Sequence, residues 1–381
     1  MSAEVRGVCH LTSTMKTVLC VVGARPNFMK IAPIMRALSQ SPLLNGTLLH
    51  TGQHYDTAMS DDFFRDLGIP RPARNLEIGS SSHARQTADI MVGFESVLAE
   101  INPGCVLVVG DVNSTIACAL VAAKAGVRVV HVEAGLRSYD RRMPEEINRV
   151  LTDQISDLLF TTERTALDNL MREGIDPSRV HFVGNVMIDT LRDNVERAIP
   201  VTETLAAAGL NLKPGASHAL LTLHRPSNVD DPAALKGLLE TADHIGRRCP
   251  VIFPVHPRTR ARIEQAGLAG LIDSERVLAL PPVGYLSILG LLAGAKVVMT
   301  DSGGLQEEAT ALGVPCLTLR DNTERPVTIT EGTNTLVGKD PSAIRAAFAE
   351  IESSGGKRGR IPELWDGQAA KRIVATLETW L

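Results

Sequence analysis

Two acids and a histidine stand where apolar runs end and a third acid where a helical pattern opens, places where a chain can present an ionisable group to a ligand. Val106-Leu107-Val108-Val109-Gly110 leads into Asp111, and Val127 to Val132 leads into Glu133. Pro144-Glu145-Glu146 opens a helical pattern with proline at its first position. Ala219 to Leu223 leads into His224. Carboxylates and histidine are the usual proton carriers of general acid–base chemistry. Each also has a plainer reading. Asp111 suits a helix cap or turn, Glu145 and Glu146 suit a helix N-terminus, and His224 suits a hydrogen-bonded core position. Glu133 is the hardest to read that way. A carboxylate following Val129-Val130-His131-Val132 is costly to bury without a partner or a task.

A second group of residues suits phosphate. Val297 to Thr300 stops at Asp301-Ser302-Gly303-Gly304, and a helical pattern starts at once. That is a strand, a tight turn and a helix N-terminus, whose unpaired amides and partial positive charge attract anions. Glycine lets a ligand approach the backbone, and Ser302 can cap the helix or reach a phosphate oxygen. Near the other end, Val18 to Val22 leads through Gly23 to a helical pattern that starts with Arg25 and Lys30. An Arg fork and a Lys point charge are the common partners of phosphates. Lys30 lies among Met29, Ile31, Ile34 and Met35, too close to an apolar stripe to be a merely solvated cation.

These groups need a scaffold, and the chain supplies one. Apolar strand-like runs occur near 17–23, 46–51, 105–110, 127–132, 157–161 and 180–183, then near 218–223, 250–255, 276–280, 296–300 and 315–319. Helical patterns such as 114–125 and 145–155 separate most of them. Continuous rather than alternating apolar strands predict parallel sheets covered on both faces. Two series predict two doubly wound domains, joined by a helix-and-turn connector over 189–214. Ligands bind at the carboxyl ends of such strands, so the site is expected in a cleft between the domains. The division is 15–188 and 189–366, with 1–14 an unstructured extension before Met15. The 381 residues carry a net charge of −4 with 44% hydrophobic and 22% charged residues, the profile of an ordinary enzyme and not of a nucleic-acid binder. The six cysteines are scattered without metal spacing, which predicts buried thiols in a reducing cytoplasm. No apolar run reaches membrane length. No Gly-x-Gly-x-x-Gly follows the first strand, so neither NAD nor a metal is expected as cofactor.

Gly23-Ala24-Arg25-Pro26-Asn27, Thr51 to Asp56, Gly110 to Ser114, His131 to Arg137, Pro144 to Arg149, Leu223 to Pro226, Asp301 to Gly304 and Thr323 to Pro326 occur in this order. Together they closely resemble the non-hydrolysing UDP-N-acetylglucosamine 2-epimerases, from about Met15 to the C-terminus. The resemblance implies two Rossmann-like domains in the glycosyltransferase-B-like arrangement, with a C-terminal helix over 367–381 crossing back to the first. It implies Asp111, Glu133, Glu145 and His224 as catalytic residues. It implies Arg25, Lys30, Ser302, Gly303, Gly304, Glu308 and Arg325 as holders of the UDP-sugar. Gln53, Arg85, Arg225 and His256 match a region where many bacterial members bind a second UDP-sugar as activator. Ile288 stands where an aromatic often faces uracil, and Ser227 where Glu is common. The implied reaction is reversible inversion at C2 of the sugar, through loss of UDP and its re-addition, by a homodimer in the cytoplasm serving cell-envelope polysaccharide synthesis. Three alternatives stand beside it: a UDP-2,3-diacetamido uronic acid as substrate, a hydrolysing epimerase releasing N-acetylmannosamine and UDP, and a retaining UDP-sugar glycosyltransferase. A non-catalytic nucleotide-sugar sensor is the binding-module reading.

Overall fold

The computed structural model describes residues 15–53, 64–213 and 215–381, without the side chain of Arg25. The expected extension 1–14, most of the Thr51–Asp56 motif and Pro214 of the connector lie outside the described residues. The chain forms two all-parallel sheets. The first has β1 (Lys16–Val22), β2 (Leu44–His50), β3 (Arg74–Asn75), β4 (Cys105–Val109), β5 (Arg128–Val132), β6 (Leu158–Thr161) and β7 (Val180–Phe182). Their spatial order is β3-β2-β1-β4-β5-β6-β7. The second has β8 (His218–Thr222), β9 (Val251–Pro254), β10 (Val277–Leu280), β11 (Ala295–Thr300), β12 (Cys316–Thr318) and β13 (Asn334–Leu336), in the order β10-β9-β8-β11-β12-β13. β4 and β11 are buried along most or all of their length, as continuous apolar runs demand. Each sheet is doubly wound about its first strand, so the order reverses between β1 and β4 and between β8 and β11. Crevices open at the carboxyl ends of strands at such switch points. The chain after β1, β4, β8 and β11 is the chain that carries Lys30, Asp111, His224 and Ser302.

Two features fall outside the expected strand series. β3 and β13 are edge pieces of two and three residues, paired through backbone alone, too short for any apolar period. The five described cysteines, Cys20, Cys105, Cys118, Cys249 and Cys316, are buried free thiols.

The last helix, Ala369–Trp380, buries Ala369, Ala370, Ile373, Val374 and Leu377, a stripe at helical period. It packs on the helix Arg25–Leu38 and joins the core of Ile31, Ile34 and Leu38. Its start is held by Asp189 of the helix Val186–Asn194, whose carboxylate accepts the amides of Ala369 (3.1 Å) and Ala370 (2.7 Å). Burial pushes that carboxyl up to about 6 against those two bonds. Asp189→Ala would leave both buried amides unpaired. The expected outcome is a loss of about 1–3 kcal/mol in urea unfolding and faster hydrogen exchange in 369–380. Unchanged stability would show that the helix is held by its apolar face alone.

Candidate active site

The loops after β1, β4 and β5 are fixed before any ligand arrives. Asn27 accepts the amides of Gly23 (3.2 Å) and Ala24 (3.0 Å) and donates to the carbonyl of Val109 (3.0 Å), so one side chain ties the β1 turn to the end of β4. Gly110 follows at φ +67°, and a Cβ there would stand 2.9 Å from the Lys30 ammonium. Glycine is needed both for the conformation and for the space. Glu133 has no such freedom and still adopts φ +71°. A left-handed residue that is neither Gly nor Asn costs on the order of 1 kcal/mol and is common where function fixes the backbone. The amides of Glu133 and Ala134 both donate to the carbonyl of Phe160 at 3.0 Å, which holds the strained turn.

That turn aims the Glu133 carboxylate into a buried ion network spanning both sheets. Lys30 pairs with Glu133 from the first half. Arg325, at the start of the helix Pro326–Thr330, reaches it from the second at 2.7 Å. The same guanidinium meets Glu307 (2.8 Å) and Glu324 (2.6 Å), and Glu324 in turn meets Arg320 (2.7 Å). Asp111 pairs with Arg149 at 2.9 Å, and Arg149 also meets Glu146. Burial would push the Asp111 carboxyl up, but Arg149, Lys30 and Arg325 together hold it below its ordinary value. Glu324 is held far down in the same way by Arg325 and Arg320 against its burial. For Glu307 burial wins over Arg325, and its carboxyl is raised.

Beside this network lies a cavity of about 290 Å³, lined from the first half by Pro26, Met29 and Lys30 and from the second by Ser302, Gly304, Tyr285, Glu308, Ile288, His256 and Arg325. The helix Gly303–Leu312 opens onto it. Ser302 occupies the N-cap position, but its hydroxyl makes no capping bond, so of its two expected roles the structural one is not realised. A Cβ on Gly303 would stand 2.6 Å from an Arg325 nitrogen, so only glycine lets the helix start and the guanidinium share this corner. Glu308 is buried, accepts the Tyr285 hydroxyl (3.0 Å) and is pushed up to about 8 by burial, with Glu307 adding to the shift.

His224 is half-exposed at the end of β8. Its Nδ1 lies 2.7 Å from the fully buried Asp301, which also accepts the amides of His224 and Arg225. The last residues before the glycine turn thus orient the histidine, a role that Asp301 did not show in sequence. Arg149, Glu307, Glu324 and Tyr285 were missed too. Glu307 and Glu324 directly adjoin Glu308 and Arg325, and that adjacency was the available signal.

Glu145 sits apart from the ion network. It lines a second cavity of about 450 Å³ with His83, Arg142, Arg225, Arg320 and Lys339. The four residues matched to an activator region do not share a cavity. Arg225 lines this one and His256 the first. Gln53 is buried and accepts the amide and hydroxyl of Ser114. Arg85 is exposed and pairs with Asp89 at 2.8 Å. Among the described residues no group of three or more His, Cys, Asp or Glu side chains is placed to hold a metal ion, and no helix is long and apolar enough to cross a membrane.

Comparison with known proteins agrees with this layout. The family model described as UDP-N-acetylglucosamine 2-epimerase matches residues 36–378. The UDP-N-acetylglucosamine 2-epimerase of Methanococcus maripaludis is 42% identical over 93% of this chain and 96% of its own. The UDP-2,3-diacetamido-2,3-dideoxy-D-glucuronate 2-epimerase of Pseudomonas aeruginosa is 43% identical over 94% of this chain and 99% of its own. The crystal structure of the Methanocaldococcus jannaschii UDP-GlcNAc 2-epimerase in complex with UDP-GlcNAc and UDP superposes with a TM-score of 0.87, at 40% identity, over 96% of this chain and 100% of that one. With its switch-point residues, two doubly wound sheets and near full-length similarity, the chain belongs to the UDP-N-acetylglucosamine 2-epimerase family.

Proposed function

We propose that the protein epimerises C2 of UDP-N-acetylglucosamine reversibly to UDP-N-acetylmannosamine. The observation that carries this reading is Glu133, held in a left-handed turn between Lys30 and Arg325, two cations that themselves line a cavity suited to a nucleotide diphosphate. Glu308 takes the ribose hydroxyls as an acceptor, and the amides after Ser302, through Gly303 and Gly304, take the diphosphate with Arg25 and Lys30. A carboxylate removes the C2 proton while the C1–O bond to UDP breaks, leaving 2-acetamidoglucal and UDP in the cleft. An acid then returns a proton to the opposite face of C2, and the UDP oxygen re-forms the bond at C1. Asp111, Glu133 and Glu145 are the proposed proton carriers, and His224 and Arg325 balance the charge on departing UDP. We assign the halves to residues 15–188 and 189–366, with 367–381 returned to the first. Exposed Val92, Ile147 and Leu151, on helices linked through the packed helix Asn113–Lys124, suit the contact of a cytoplasmic homodimer supplying a sugar for cell-envelope polysaccharide. Activation by a second UDP-sugar would involve Arg225 in the second cavity.

A second reading has an observation of its own. In the second cavity Arg320 is buried with its Nη1 unpartnered, and Lys339 makes no ion pair among the described residues. The free Arg320 nitrogen and the Lys339 ammonium are donors that suit a sugar bearing a carboxylate, the class of substrate named for the Pseudomonas aeruginosa relative.

Turnover of UDP-N-acetylglucosamine in D₂O is expected to place deuterium at C2 of the product without added NAD or metal. Asp111→Asn, Glu133→Gln and Glu145→Gln should each slow that exchange by roughly a hundredfold or more and still bind UDP. Retention of the original hydrogen at C2 would overturn the elimination route, and faster exchange with the uronate analogue would favour the second reading.

Nucleotide affinity should depend on pH through Glu308. Its carboxyl is raised to about 8 in the free protein, and ribose hydroxyls that donate to it favour the ionised form. Binding then releases a proton, so affinity should rise as pH climbs from about 7 towards 8 and level off above that. Calorimetry in two buffers of different ionisation enthalpy reads the proton directly. Glu308→Gln should show no release and weaker binding; a wild-type profile in that variant would place the ribose elsewhere.

A further inference from the structure

The catalytic loops rest on a buried histidine that no step of the proposed reaction uses. His131 lies in β5 with no solvent exposure. Its Nδ1 is 2.7 Å from a carboxylate oxygen of Asp153, and its Nε2 is 2.8 Å from the carbonyl oxygen of Gly110. A backbone carbonyl only accepts. Asp153, also fully buried, accepts the amide of Gly135 (3.1 Å) and pairs with Arg137 (2.7 Å), so it too serves as an acceptor. A neutral imidazole donates from one nitrogen only. With acceptors on both sides, both nitrogens of His131 must donate.

The three segments joined at this point are the three that carry the candidate acids. The Gly110 carbonyl that accepts from His131 belongs to the peptide link into Asp111. Glu133 and Gly135 follow His131 in the strained turn. Asp153 lies on the helix Pro144–Ile155, whose first turn holds Glu145 and Glu146. We infer that His131, doubly protonated and locked to Asp153, is a positioning residue that sets the relative geometry of Asp111, Glu133 and the Glu145 helix without touching substrate. Opposed charges around it, with Arg137 beyond Asp153 and Glu173 beyond Arg137 (2.6 Å), make the charged ring tolerable in a dry interior. This role rests on the proposed epimerase reading, but its protonation does not.

Two measurements test it. Neutron diffraction from crystals of the unaltered protein should show hydrogen isotope on both ring nitrogens of His131; a single occupied nitrogen would overturn the inference whatever the enzyme's substrate. Asp153→Asn leaves the shape but removes the charge and one of the two acceptor oxygens, so the side chain can no longer serve His131 on one side and Gly135 and Arg137 on the other. Displaced acids should lower kcat by about a hundredfold with KM and UDP affinity within about threefold. The ratio of C2 deuterium in recovered substrate to that in product should also change, because protonation on the two faces no longer keeps its balance. An unchanged kcat, or UDP binding lost in step with turnover, would make His131 and Asp153 ordinary core polar residues. If Asp153→Asn does not fold, the neutron result decides alone. Failure of the unaltered enzyme to exchange C2 at all would instead sink the functional reading and leave the protonation result standing.

Discussion

One guanidinium holds the two halves of this protein to a common purpose. Arg325 belongs to the second sheet's side of the chain, yet its Nη2 lies 2.7 Å from Glu133, which follows β5 of the first. It is buried and also meets Glu307 and Glu324, and these acids raise its affinity for its proton far above the ordinary value although burial acts the other way. Removing one partner from such a buried pair typically costs about 3–5 kcal/mol, because the other is left charged and dry. Much of the surrounding sequence is explained by the need to house this group. Gly303 is glycine because a side chain would strike Arg325, and Gly110 is glycine because one would strike Lys30.

The same network accounts for the uneven chemistry of its acids. Asp111 and Glu324 face several cations that hold them down, whereas burial outweighs Arg325 at Glu307 and the Tyr285 hydroxyl at Glu308, so both are raised. Two histidine–aspartate contacts frame the cleft. Asp301 orients half-exposed His224 at the end of β8, and Asp153 holds buried His131 beneath the loops. Both are one carboxylate on one imidazole at 2.7 Å, the first with its ring half-exposed and the second wholly buried.

Most of the scaffold was legible in the sequence because its strands are buried on both faces and read as unbroken apolar runs. β3 and β13 were not, since edge strands of two or three residues carry no such signal. Within the site, Asp111, Glu133 and His224 stood out because a polar residue at the end of an apolar strand is conspicuous. Their partners did not. Arg149 is 38 residues from Asp111, and Arg325 is 192 from Glu133, so the pairing exists only once both sheets have folded. Ser302 illustrates the reverse limit. Local chemistry suggested a cap, but the tertiary site leaves its hydroxyl out of the helix.

The central claim is that Lys30 and Arg325, from opposite halves, act on one ligand through one carboxylate. Calorimetric UDP binding to Lys30→Ala, Arg325→Ala and the double variant tests it most directly. Each single change is expected to weaken binding by roughly tenfold or more, the size of a lost charge-assisted contact. The double variant should fall short of the sum, because groups sharing a partner couple. Strictly additive losses, or UDP affinity unchanged in either single variant, would contradict a site shared across the cleft.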